Sequence, residues 1–255
     1  IGVYSLMECK LVGSVLIEEE EDVEGGEVVG VSIHPTGSHI LATTRKGTVA
    51  FLSLGDSLQK RAVFREEKGG VEYSCSRLHP DGLILGVGTV DGTLKIWDLK
   101  TQQLAQTLEG HKGTVTSLSF SENGYHVASS SSSGEVLVWD LRKGKTIKTL
   151  NDQKEDEKTF IGAVHSVAFD HSGKYLAYGG EKGARITVVK EWDIAVSLGG
   201  GEEDDDVTSV AWGKDAMSLV TCSDKERAMT FWGPPSDGDD AAAADGDDAV
   251  KMEES

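Results

Sequence analysis

The 255-residue chain carries 43 acidic against 25 basic side chains, a formal net charge of −18, so a groove tracking nucleic-acid phosphates would have to be built against the field of the whole molecule. Its 38% hydrophobic content suffices for a packed core, while 31 glycines against 4 prolines and no sustained helix-period apolar stripe point to many tight turns between short strands. Cys9, Cys75 and Cys222 are too scattered for a disulfide framework and fit a reducing, intracellular compartment as structural thiols, and no apolar run reaches the length of a membrane span or signal peptide.

In chain order, residues 2–6 and 11–17 read as two paired strands, followed by an acidic run at 18–22. Because the first residue is Ile1, inside a strand-like stretch, the chain is expected to be a piece of a longer protein. A five-residue turn signature then recurs: Ile33-His34-Pro35-Thr36-Gly37, Leu78-His79-Pro80-Asp81-Gly82, Phe120-Ser121-Glu122-Asn123-Gly124, Phe169-Asp170-His171-Ser172-Gly173 and Trp212-Gly213-Lys214-Asp215-Ala216. The last residues of these turns lie 45, 42, 49 and 43 positions apart. That spacing fits the roughly 40–45 residues of a four-stranded propeller blade. The expected fold is all-β, with blades at about 27–62, 71–108, 113–150, 163–198 and 207–233 making a propeller domain at 27–233. Residues 1–17 are then strands c and d of a truncated preceding blade.

The copy at 71–108 is the clearest. Residues 73–78, 83–88, 94–97 and 103–108 are separated by turn residues and read as strands a to d. Strand b is small and apolar in successive copies, as in Ile40-Leu41-Ala42-Thr43, Ile84-Leu85-Gly86-Val87 and Val127-Ala128-Ser129-Ser130, which suits a strand pressed on both faces. Strand c ends Trp97-Asp98-Leu99 in one copy and Trp139-Asp140-Leu141 in the next. The last copy has strands at 207–212, 219–222 and 228–232 and stops at Gly233-Pro234-Pro235. A closed ring needs such a gap if another part of the chain fills it, and the donor strand is expected upstream of Ile1. Residues 236–255 hold eight acids and one lysine, so the stretch 234–255 is expected to be a disordered acidic tail.

Trp97-Asp98, Trp139-Asp140, Gly110-His111 and the repeat spacing resemble the WD-repeat β-propellers. His79-Pro80-Asp81-Gly82-Leu83-Ile84, Ser119-Phe120-Ser121-Glu122-Asn123-Gly124-Tyr125, Trp139-Asp140-Leu141-Arg142-Lys143 and Lys190-Glu191-Trp192 look like the C-terminal propeller of the pre-mRNA-processing factor nineteen family, spliceosome-associated U-box ubiquitin ligases. The resemblance covers about residues 1–233 and is closest over 71–180. It implies a seven-bladed ring, of which roughly the first blade and a half lies outside this chain, and a U-box and a tetramerising coiled coil, neither present here. It also implies a nuclear location, a place in splicing or DNA-repair complexes, and splicing factors or ubiquitination substrates as partners. On that basis the chain is a recognition module and not itself an enzyme, with no cofactor, membrane or direct nucleic-acid contact.

WD repeats often lock a blade with a His before strand a, a Ser or Thr on strand b, a Trp on strand c and an Asp in the b–c turn. The resemblance gives His111, Trp97, Asp98, Trp139 and Asp140 structural roles of this kind. His111 and Trp139 share a blade, yet Ser133 stands where Asp91 stands before Trp97, and the connection entering the Trp97 blade, 65–70, has no His. No copy holds the full set, so strand packing is expected to carry more of the stability.

Gly55-Asp56-Ser57-Leu58 spells a hydrolase motif, but it falls in a c–d turn with no following helix and no matching Asp-His pair, which leaves Ser57 without a base. His34 and His79 occupy one slot in adjacent repeats, and His39, His126, His165 and His171 show no ligand spacing, so no metal site is expected. Gly199-Gly200-Gly201 runs into Glu202-Glu203-Asp204-Asp205-Asp206, a solvated connection that would repel phosphate. The acidic runs 18–22, 152–157 and 202–206 all fall in d–a connections, as solvated loop tips or as a rim that docks basic segments. Partner binding is expected on the face where d–a connections and b–c turns meet, with Arg45, Lys46, Arg65, Tyr73, Asp91, Lys112 and Lys182 as exposed candidates. A WD-repeat scaffold subunit of another multiprotein complex is the alternative reading.

Overall fold

In the computed structural model the described residues are 1–5, 10–15, 17, 26–55, 57–66, 70–151, 160–199, 206–214, 217–225, 227–233 and 250–251. They form strands and turns, with no helix among them. β1 (Gly2–Ser5) pairs with β2 (Lys10–Ser14) in a two-stranded sheet, and five four-stranded sheets follow. Each is a meander of consecutive antiparallel strands. The first holds β3 (Val28–Ile33), β4 (His39–Thr44), β5 (Thr48–Leu54) and β6 (Leu58–Arg65). The second holds β7 (Tyr73–Leu78), β8 (Ile84–Thr89), β9 (Thr93–Asp98) and β10 (Gln103–Glu109). The third is β11 (Val115–Phe120), β12 (His126–Ser131), β13 (Val136–Asp140) and β14 (Lys145–Leu150). The fourth is β15 (Val164–Phe169), β16 (Tyr175–Gly180), β17 (Gly183–Val188) and β18 (Ile194–Leu198). The fifth is β19 (Ser209–Trp212), β20 (Leu219–Ser223), β21 (Ala228–Trp232) and β22 (Val250–Lys251). The all-β class and the four-stranded repeat are those of an incomplete WD-type β-propeller.

The chain divides into two compact units, 1–109 and 110–255. In the first, β3 and β4 pack on β7, the first strand of the next sheet, with Leu41, Val49, Tyr73, Leu85, Val87 and Trp97 in the core between them. In the second, β11 and β12 pack on β15, and β15 and β16 on β19, around Val138, Ile161, Val164, Val167, Leu176 and Tyr178 and around Ala177, Leu198, Val210 and Leu219. Strand b lies between two strands of its own sheet and against a neighbouring sheet, so β8, β12 and β16 are buried along nearly their whole length. That leaves room only for the small side chains they carry. The register of strand a shifts at its second residue in four sheets, between Val28 and Gly30, Tyr73 and Cys75, Val115 and Ser117, and Val164 and Ser166. Such bulges add twist at the inner edge of a sheet.

The fourth place in the last sheet differs from expectation. It is taken by β22, whose Val250 pairs with Phe231 and Lys251 with Thr230. Two residues of the stretch read as an acidic tail thus pair with β21. Val250 is the one β-branched residue of 234–255, so it is the residue there best suited to an edge pairing. The rest of that stretch, and the acidic insertions at 18–22, 152–157 and 202–205, lie outside the described residues.

Neighbouring sheets are stitched by hydroxyls on strand a. Ser32 Oγ accepts the Leu78 N–H at 3.3 Å, Ser119 Oγ accepts the Phe169 N–H at 3.0 Å, and Ser117 and Ser166 accept from Val167 at 3.4 Å and Val210 at 3.1 Å. These amides belong to strands at the edge of their own sheets, where outward N–H groups have no ladder partner. Gly30 marks how close the sheets come, since a Cβ there would collide with Ser76 Oγ. Ser119→Ala leaves the Phe169 N–H without its acceptor and is expected to lower the unfolding free energy by about 1–2 kcal/mol in urea titration. Ser121 Oγ is buried without a hydrogen-bond partner, so Ser121→Ala should cost less than about 0.5 kcal/mol. Equal losses in the two variants would show that the Ser119 bond contributes nothing.

Candidate functional site

The third four-stranded sheet holds the polar set most nearly complete. His111 sits in the connection before β11, where its Nε2 lies 2.6 Å from Ser129 Oγ on β12, and Trp139 on β13 donates its indole N–H to the same hydroxyl at 2.8 Å. The indole N–H and His111 Nε2 thus share one hydroxyl. His111 Nδ1 lies 3.9 Å from Glu135 Oε2, beyond hydrogen-bond reach, and is buried without a hydrogen-bond partner. Burial pushes the imidazole down to about 4, against the opposing pull of Glu135. Glu135 is itself desolvated, but Lys112 and Ser133 hold its carboxyl below the usual range; Ser133 donates at 2.8 Å.

Glu135 is the residue that the sequence reading missed. Ser133 does stand at the usual Asp position, and it donates to a carboxylate two residues later. The signal was present: Glu135 precedes an unbroken apolar strand and is only 8% exposed, an unusual setting for a glutamate. A second bond of the same kind lies in the last sheet, the weakest copy in sequence, where Trp232 Nε1 donates to Thr221 Oγ1 at 3.0 Å. In the Trp97 sheet, Val87 takes the register position of Ser129, so the indole N–H of Trp97 has no acceptor there. The Tyr73 hydroxyl faces that N–H closely enough to feel it but outside hydrogen-bond geometry. Burial drives Tyr73 up to about 12, with Trp97 pulling the other way.

Asp98 and Asp140, the acids that end strand c, hold the following turns. Asp98 accepts from the backbone N–H of Lys100 at 2.8 Å and of Thr101 at 3.3 Å, and Asp140 from those of Arg142 at 2.9 Å and Lys143 at 3.3 Å. These bonds keep both carboxyls below their usual range, with the Arg142 side chain the leading cause at Asp140. Ser53 stands at the equivalent position of the β3–β6 sheet and accepts instead from Arg61 Nε at 2.8 Å.

Of the proposed surface residues, Lys46, Arg65, Asp91, Lys112 and Lys182 are exposed and Arg45 is half-buried. Within the first unit, Arg45 and Lys46 lie in the β4–β5 turn and Asp91 in the β8–β9 turn, and Arg65 ends β6. Arg45 pairs with Glu27 at 2.8 Å and reaches Glu72 at 3.8 Å, while Asp91 is engaged by the hydroxyls of Thr89 at 2.5 Å and Thr93 at 3.0 Å. In the second unit, Lys112 pairs with Glu135, and Lys182 lies at the β16–β17 turn. Tyr73 is a correction: it opens β7, is 1% exposed and packs beside Trp97 in the core. As the first residue of strand a it turns inward, because the neighbouring sheet covers that face.

The 152–157 insertion is bounded by Asn151, which donates to the carbonyls of Gly134 at 2.6 Å and Gly162 at 3.2 Å and accepts the Ile161 N–H at 2.9 Å. In the connection that holds 202–206, Asp206 lies 3.3 Å from His165 Nε2. Ser57 lies in the β5–β6 turn and accepts from Gln59 Nε2 at 3.3 Å. Among the described residues, no three His, Cys, Asp or Glu side chains converge as metal ligands would. The geometry is that of a rigid scaffold with its polar groups spent on holding turns and strands.

Fold and site together define a WD-type propeller module. The family model described as "Nucleolar protein 10-like, N-terminal domain", a β-propeller, matches residues 31–235, and the chain belongs to that family. The chain is also similar to pre-mRNA-processing factor 19 of Oryza sativa subsp. japonica, with 36% identity over 231 residues, 89% of this chain and 41% of the relative. Pre-mRNA-processing factor 19 homolog 2 of Arabidopsis thaliana is 37% identical over 229 residues, 88% of this chain and 40% of the relative. The Caenorhabditis elegans factor is 40% identical over 205 residues, 79% and 39% of the two chains. The chain thus spans about two fifths of the length of these relatives. The resemblance read from the turn and Trp-Asp runs is borne out.

Two outcomes follow from the buried indoles and imidazole. His111 is held neutral by the fold, so the unfolded chain binds its proton first as pH falls, and the associated stability is present above pH 6.5 and lost down towards pH 4. Between pH 7 and pH 5 the wild type should lose on the order of 2 kcal/mol more in urea titration than His111→Gln, in which this group no longer titrates. Parallel pH profiles would contradict that assignment. Val87→Thr supplies the hydroxyl missing opposite Trp97 and should stay within about 0.5 kcal/mol of wild type, where a buried hydroxyl with no partner costs about 1–3 kcal/mol. A loss in that larger range would mean that Trp97 Nε1 does not reach position 87.

Proposed function

We propose that this chain is the protein-interaction and substrate-recognition propeller of a pre-mRNA-splicing-associated U-box ubiquitin ligase, acting in the nucleus. The observation that carries the reading is the 36–40% identity to pre-mRNA-processing factor 19 from three organisms over 79–89% of the chain. The site geometry supports a binding role, because Ser129, Trp139 and His111 bond to one another in the interior and the exposed candidates sit on or beside turns. In this reading ubiquitin transfer and tetramerisation reside in segments outside the chain, and the propeller holds splicing factors or ubiquitination substrates. Arg45, Lys46, Arg65 and Asp91 in the first unit, and Lys112 and Lys182 in the second, are its proposed contacts. A second reading, a scaffold subunit of a different assembly, is favoured by the family model named for a nucleolar protein.

A domain exchange separates the two. The rice factor with its matching propeller replaced by this chain is expected to restore splicing in an extract depleted of the native factor. A chimera that folds and tetramerises yet restores nothing would favour the scaffold of another assembly.

A further inference from the structure

The charged residues of the third four-stranded sheet are unevenly placed. Residues 142–148 hold four cations, Arg142, Lys143, Lys145 and Lys148, and no acid, and no other seven-residue stretch of this strongly acidic chain is as cationic. They form the c–d turn and the outer strand β14, with the turn at the end of the sheet opposite its own b–c turn. The a–b turn of the same sheet lies beside them and carries Tyr125, 50% exposed.

The local geometry turns these residues into a platform. The Arg142 guanidinium carbon lies 4.3 Å from the centroid of the Tyr125 ring, a cation–π arrangement. Asp140, only 6% exposed in its side chain, takes Arg142 Nη2 at 3.2 Å and the Arg142 backbone N–H at 2.9 Å, so its charge is spent on positioning. Tyr125 is fixed in turn: its N–H donates to Asn123 Oδ1 at 2.8 Å, and its carbonyl accepts from Leu141 at 2.9 Å. Lys145 pairs in register with Asp140, which places it beside the turn, and Lys143 remains 72% exposed in its side chain. Glu122, the acid of the same a–b turn, lies 3.2 Å from His171 Nδ1 of the next sheet.

We infer that Tyr125, Arg142, Lys143 and Lys145 form a docking surface for an acidic segment of a partner protein. Tyr and Arg are the residue types that most often dominate binding energy, and here both are ordered before the partner arrives, which removes part of the entropy cost. One guanidinium edge is held by Asp140 and Lys143 Nζ lies 3.8 Å from the same carboxylate, while the other guanidinium edge and the exposed Lys145 can meet carboxylates of a partner. Charge complementarity selects a short acidic segment over a polynucleotide. The positive patch covers one turn and one strand, whereas a nucleic acid extending past it would meet the field of a molecule with net charge −18. The inference requires the fold and not the splicing assignment.

Fluorescence anisotropy of the full chain with a labelled Asp/Glu-rich peptide, read at low and physiological ionic strength, tests it. Saturable, salt-sensitive binding is expected, weakened about tenfold or more by Arg142→Glu and several-fold by Lys145→Glu, and changed less than about twofold by Lys225→Glu in the β20–β21 turn. Lys145→Glu leaves the Asp140 turn bonds in place, so it reports on the surface even if Arg142→Glu unsettles the turn. No binding at low salt would overturn the proposal, as would an equal loss in Lys225→Glu. Tighter binding of an oligouridylate with the same Arg142 dependence would make the occupant a nucleic acid. Binding that emerges only when the six aspartates of 237–248 are changed to asparagine would make it the chain's own tail.

Discussion

A sheet that stacks its inner strand against the next sheet must find partners for the N–H groups that this strand turns away from its own ladder. In this chain serines on strand a of the preceding sheet supply them, at Leu78, Val167, Phe169 and Val210. The same seam brings backbones so close that Gly30 has no room for a side chain and that strand b is confined to residues such as Gly86, Ala128 and Ala177. Small residues on strand b and hydroxyls on strand a are therefore one requirement seen twice.

Within each sheet, the contact between strands b and c is made by different means at the same register. One sheet uses Ser129 with Trp139 and His111, another Thr221 with Trp232, and a third leaves Trp97 against Val87 and Tyr73. In the fourth, Tyr178 and Arg185 share the interior, burial raising the phenol to about 12 and lowering the guanidinium. Each of these four solutions packs an aromatic ring between strands, and only some also satisfy its polar atom. Among the described residues these buried groups hold sheets together, and the exposed candidates for recognition are on or beside turns.

The repeat was legible in the sequence because its turn signature, small strand b and terminal Trp-Asp recur at blade spacing. β7 and β21 occupy the stretches 73–78 and 228–232 read as strands. Side-chain roles were less legible. Tyr73, read as the first residue of strand a, was expected to be exposed, and a periodic pattern does not say which face the first residue of an edge strand presents. Glu135 was passed over because the motif places its acid two residues earlier, although it stands directly before an apolar strand, and the turn brings Ser133 to donate to it. The Trp232–Thr221 bond lay in the copy with the poorest turn, whose signature ends on Lys214-Asp215-Ala216 instead of Gly. Val250 was masked by the acids around it, since composition averages over a single strand-forming residue.

The account rests on the seam between sheets, and native-state amide hydrogen exchange reads that seam directly. Val167, Phe169 and Val210 lie on strands at the edge of their sheets, so without the serine acceptors their outward amides would exchange like those of the solvent-facing outer strand β18. The account predicts that these three amides are protected well beyond the outward amides of β18. Equal exchange rates in the two sets would contradict it.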